Sequence, residues 1–149
     1  MLTNHSPPRE IDTKRVVVDT SGFFAGASKL AELLSTGHKL IAIDLTVFEF
    51  VKVLDREINL AKQAGRSKRI KTLTRVRDRF PALVDELEIE LISSDFTGKD
   101  LKKLYSLISE GKDPGDCMIW LKMQNSGLSS ILTDNIKHWK EIGADVMGI

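Results

Sequence analysis

The chain has 149 residues, 42% hydrophobic and 29% charged, a size and balance that suit one soluble globular domain with a single core. Its 22 Lys+Arg against 21 Asp+Glu leave a formal net charge of +1, so total charge points to no particular partner. A single cysteine, Cys117, excludes an intramolecular disulfide framework and a multi-cysteine zinc site, and no apolar run is long enough for a membrane span.

Met1–Arg15 lacks the apolar stretch of a signal peptide, which makes the cytoplasm the expected location. Residues 1–14 are polar and carry Pro7-Pro8, which predicts a flexible arm before a single domain over 15–149. Val16-Val17-Val18 is a short β-branched run and predicts a buried strand. Thr20–Thr36 predicts one helix, with Leu30, Leu33 and Leu34 at helical spacing and Gly37 as its stop. Lys39–Ile43 predicts a second buried strand. Thr46–Ala64 and Ser67–Val84 predict two antiparallel helices joined at Gly65. Glu88–Ser93 predicts a strand, Thr97–Ser109 and Gly115–Asn125 helices, Ser130–Thr133 a strand, Ile136–Ile142 a short helix and Ala144–Ile149 a last strand. Short apolar strands alternating with helices predict a three-layer α/β/α sandwich around a mostly parallel sheet of four to five strands.

The near-zero charge is unevenly spread. Val51–Arg79 carries ten Lys/Arg against Asp55, Glu57 and Asp78, and Phe80–Asp116 carries nine acids against four lysines. The helical pair over about 46–84 is therefore either a solvated basic face or a surface for phosphates.

In a parallel sheet the strand C-termini share one edge, and ligands bind beyond it. Acids stand there: Asp19 directly after Val18, Glu49 one turn into the helix after Ile43, Asp116 at the start of the Gly115 helix, and Asp134 directly after Thr133. Each has an ordinary role as a helix cap. Asp19 precedes Thr20-Ser21, Thr46-Val47-Phe48-Glu49 has the form of a capping box, Asp113-Pro114-Gly115-Asp116 is a capped helix start, and Asp134 precedes the last helix. Taken jointly, four acids from four elements would repel one another unless a cation held them. Oxygen donors suit a hard divalent ion such as Mg²⁺. His5 in the arm, His38 at a loop and His138 within a helix predict no histidine-rich transition-metal site.

With these residues in place, the chain resembles the PIN domain, the small α/β ribonuclease domain of VapC-type toxins and RNA-processing factors. The likeness rests on Val16-Val17-Val18-Asp19-Thr20-Ser21, Leu45-Thr46-Val47-Phe48-Glu49-Phe50, Gly115-Asp116-Cys117-Met118-Ile119 and Ile131-Leu132-Thr133-Asp134. In that family's last motif one residue commonly separates the Thr from the acid. Here Asp134 follows at once and Asn135 falls in that register, while the spacing from Asp116 favours Asp134.

The resemblance implies Mg²⁺- or Mn²⁺-dependent endoribonuclease activity, with one ion or two. Asp19 and Asp116 would hold the ion, and Glu49 and Asp134 its waters or a second ion. Thr20, Ser21 and Thr133 would orient these acids, with Asp113 and Asn135 close by. Lys52 and Arg56 are expected at the cleft mouth, with Arg66, Lys68, Arg69 and Lys71 further out along the RNA. A type II toxin with an antitoxin partner and a homodimeric state follow from the same likeness. A housekeeping RNA-processing nuclease and a non-catalytic RNA-binding or protein-interaction module are the alternatives. Trp120, Trp139 and Cys117 are expected in the core, Met118 and Met123 in the core or at an interface, and Phe23 or Phe24, if exposed, at a partner groove.

Overall fold

The computed structural model describes residues 14–93 and 95–149; the arm expected over 1–14 lies outside them, apart from Lys14, which opens the first strand. Five strands run β1 Lys14–Val18, β2 His38–Ile43, β3 Glu90–Ile92, β4 Ser130–Thr133 and β5 Asp145–Gly148. They form one sheet in the order β3-β2-β1-β4-β5, and every pairing is parallel. Val17 sits opposite Ile41 on one side and Ile131 on the other, which makes β1 the centre.

Strand side chains alternate between two apolar layers. Val16 and Val18 pack with Leu40, Ala42 and Leu132 under α1 Thr20–Phe24, α2 Ala27–Ser35, α3 Asp44–Gln63 and α4 Ser67–Glu86. Val17, Ile41 and Ile131 face the opposite way, onto Ile119, Met123 and Trp139 of α6 Pro114–Asn125 and α7 Ile136–Ile142. α5 Gly98–Ser109 closes a small satellite cluster over Cys117 and Leu121. The valine triplet is wholly buried because both faces of its strand are covered. The three-layer α/β/α reading thus holds, and Trp120, Trp139, Cys117 and Met123 lie in the core as expected. Among the described residues no helix is long and apolar enough to cross a membrane.

The single helix expected over Thr20–Thr36 is two. Gly26 interrupts it at φ 100°, a backbone state that favours glycine, so the chain turns between α1 and α2. The turn lets α1 settle closely on β1. A Cβ built at Gly22 would lie 2.7 Å from Val18 Cγ1. The third helix also starts earlier than expected, at Asp44 rather than Thr46.

Candidate active site

Parallel pairing brings the C-terminal ends of β1, β2 and β4 to one edge, and the residues that follow them enclose a cleft of about 520 Å³. Asp19, Glu49, Asp116 and Asp134 all line it, from β1, α3, α6 and β4 respectively. Thr20, Ser21 and Asn135 join them, and Lys52 and Arg56 stand on the α3 side. Thr133 lies just beneath. Its Oγ1 donates to Asp19 Oδ2 at 2.8 Å and accepts from the Asn135 amide at 3.1 Å. Ser21 Oγ accepts from the Asp134 amide at 3.1 Å, so α1 and the end of β4 are tied together.

Capping accounts for few of these acids. Asp19 stands at the N-cap of α1, yet its side chain caps nothing and serves Thr133 instead. The capping box expected at Thr46 and Glu49 does not form. Because α3 begins at Asp44, Thr46 lies inside the first turn, and its buried hydroxyl has no partner among the described residues. The N-cap of α7 is Asn135 rather than Asp134, and it makes no side-chain cap. Only Asp113 caps as expected, its Oδ2 accepting from the Asp116 amide at 3.0 Å. That leaves Asp116 one turn in, turned to the cleft.

The carboxylates feel one another. Burial, then the charges of Asp19 and Asp113, push Asp116 up to about 7. Glu49 is raised by burial and then by Asp19 and Asp113, with Lys52 opposing. Asp19 is raised by burial against the lowering hydrogen bond from Thr133, and Asp134 adds to the rise. Gly115 shows how closely the acids approach. A Cβ there would lie 3.1 Å from Glu49 Oε2 and 3.2 Å from Asp113 Oδ2. Among the described residues no three acid, histidine or cysteine side chains are drawn tight enough to hold an ion by themselves. An open set of oxygen donors still fits a hard divalent ion, which keeps several waters and takes one or two carboxylates.

Two neighbours were not expected from the sequence. His138 Nε2 lies 3.0 Å from Asp116 Oδ2, although His138 was set aside as a mid-helix residue. The buried indole of Trp139 leans toward Asp19 and lowers its pKa, without a well-aligned hydrogen bond. No local spacing points to it, since Asp134 stands outside the helix that carries His138 and the contact joins α7 to α6.

The basic residues separate into two groups. Lys52 and Arg56 reach the cleft. Arg66, Lys68, Arg69 and Lys71 lie at and just beyond the α3–α4 turn, and none lines it. With a rise of about 1.5 Å per residue, the turn is roughly 25 Å from Glu49 along α3. Arg69 is already engaged, 3.1 Å from Glu57 Oε1.

A second, apolar groove of about 240 Å³ lies between α1 and α4, with Phe23, Phe24, Phe50 and Phe80 at its base and Arg75 and Arg79 at its rim. Phe24 packs on Phe50 at 4.8 Å between ring centroids, and Phe50 on Phe80 at 4.6 Å. Phe24 is 43% exposed and lines both the groove and the acidic cleft, so the two adjoin at this ring.

No family model and no curated protein matches the sequence. Solved structures do share its fold. The crystal structure of VapBC2 from Rickettsia felis, bound to a DNA fragment from their promoter, superposes with a TM-score of 0.59 at 15% identity, over 90% of this chain and 98% of that one. That of PAE2754 from Pyrobaculum aerophilum gives 0.55 at 17% identity, over 91% and 84%.

Proposed function

We propose that this chain is a PIN-type endoribonuclease that hydrolyses RNA phosphodiester bonds with Mg²⁺ or Mn²⁺, as the toxin of a type II toxin–antitoxin pair. One observation carries the reading: carboxylates from four separate elements face a single cleft, and among the described residues none of the four caps a helix or pairs with a lysine or arginine. The fold shared with VapBC2 supports it.

The bound ion would lower the pKa of an attacking water and offset charge growing on the phosphate. Asp19 and Asp116 would hold it, and Glu49 and Asp134 would bind the surrounding waters. Thr133 keeps Asp19 turned to the cleft through its hydrogen bond. Lys52 and Arg56 would take the phosphates on either side of the scissile bond, so binding is salt-sensitive. The acids repel RNA until a cation covers them, which makes ion binding a condition for substrate binding as well as for chemistry.

The antitoxin would seat an apolar helix in the Phe24 groove, with acidic residues toward Arg75 and Arg79. Because groove and cleft adjoin at Phe24, the same peptide would extend over the cleft mouth. Two toxin copies pairing in the cytoplasm complete the reading, and light scattering on the purified chain reads that pairing.

The test is RNA cleavage that needs Mg²⁺ or Mn²⁺, stops with EDTA and is absent in Asp19→Asn and Asp116→Asn. Cleavage that survives both substitutions overturns the assignment. Growth arrest on induction, relieved by a co-expressed neighbouring small gene, separates a toxin from a housekeeping nuclease.

A further inference from the structure

His138 stands behind the cleft's lining and brings a nitrogen up to one of its carboxylates. Its Nε2 is buried and lies 3.0 Å from Asp116 Oδ2, yet the two atoms do not form an aligned hydrogen bond. The ring nitrogen therefore points beside the carboxylate oxygen rather than at it. In a hydrogen-bonded pair the oxygen would lie near the N–H axis. Two neighbouring ligands of an octahedral ion behave differently. With bonds of ~2.1 Å they stand ~3.0 Å apart and both aim at the metal between them.

No other described side chain partners this nitrogen. Asp19, Asp113 and Glu49 raise the pKa of Asp116, and His138 opposes them. Imidazole is a borderline donor that suits first-row transition ions, whereas Mg²⁺ is served by oxygen.

We propose that His138 Nε2 is a direct ligand beside Asp116, so that the site takes a first-row transition ion such as Mn²⁺ in preference to Mg²⁺. The inference rests on the metal-dependent reading above and adds to it the identity of the ion. Water and the carboxylates across the cleft complete the shell.

The experiment uses the whole chain, stripped with EDTA and reloaded with Mn²⁺ at pH 8. Pulsed electron paramagnetic resonance of the bound Mn²⁺ reports directly attached nitrogen. A ¹⁴N coupling is expected in the native chain and is lost in His138→Gln. Calorimetry on the same samples is expected to show Mn²⁺ binding weakened about 10–100-fold by His138→Gln, with Mg²⁺ binding barely changed.

The native spectrum decides without any variant. Bound Mn²⁺ with no ¹⁴N coupling overturns the inference and leaves the metal-dependent reading standing. Equal losses for Mn²⁺ and Mg²⁺ in His138→Gln also overturn it, since the ring would then only orient Asp116. A native chain that binds neither ion overturns both the inference and the reading beneath it.

Discussion

Thr133 Oγ1 donates to Asp19 Oδ2 across 2.8 Å, joining the ends of adjacent strands 114 positions apart in the chain. Asp19 is buried, and burial raises its pKa, so this bond is a main reason the group can carry charge there. Thr133→Val keeps the shape and removes the donor. The expected loss is about 1–3 kcal/mol of stability, a fall of several degrees in the thermal midpoint, together with weaker metal binding. Circular dichroism melts and calorimetry check it; an unchanged melt would show that the bond contributes nothing.

Asp116 makes the metal-free protein sensitive to pH. Its carboxyl sits at about 7 in the fold against 3.8 as the ordinary value, so the folded state holds the proton more tightly. The stability this group contributes is complete below 3.8 and declines as pH rises toward 7. Asp19 and Glu49 shift in the same direction. In EDTA the melting midpoint is expected to be higher at pH 5 than at pH 8, and Asp116→Asn flattens that slope while abolishing cleavage. A variant as steep as the native chain counts against the repulsion.

Lys52 and Arg56 line the cleft, whereas Arg69 and Lys71 do not. Lys52→Ala and Arg56→Ala should each weaken RNA binding and lower the slope of log K against log salt by about 1. Arg69→Ala and Lys71→Ala should leave both nearly unchanged. Fluorescence anisotropy across a salt series distinguishes the pairs; equal effects from all four would extend the RNA path along the α3–α4 hairpin.

Val76 lies on the rim of the apolar groove, outside the cleft, and is partly exposed. Val76→Asp places a like charge before the acidic peptide proposed for this groove. Cleavage by the purified variant is expected to match the native rate, while a co-expressed antitoxin no longer relieves growth arrest. Full rescue of Val76→Asp would move the partner's seat elsewhere.

The sequence displayed the sheet well because its central strands are short apolar runs buried on both faces, as in Val16–Val18 and Leu40–Ile43. The acids were legible for a related reason: each follows a strand or opens a helix, and parallel topology carries such positions to one edge. What stayed hidden depends on tertiary placement. Gly26 broke an apparently continuous helix because packing α1 against Val18 requires a turn there, and leucine spacing does not report that need. The Thr46–Glu49 capping box failed because α3 begins two residues sooner, where Ile43 leaves the sheet. His138 escaped notice because its relation to Asp116 joins α7 to α6, a contact no local pattern encodes.

The order of the strands also sets when the cleft is completed. β1 is first in the chain and central in the sheet, but one of its two neighbours is β4, near the other end. A chain leaving the ribosome can pair β1 with β2 and fold its N-terminal helices early. Asp19 and Glu49 are then in place, while Thr133, Asp134 and His138 are not. The cleft is finished only when β4 slides in beside β1 and α7 folds over it. A nascent or truncated chain thus lacks the finished cleft, and the activity proposed for it is expected to arrive only with the last elements to dock.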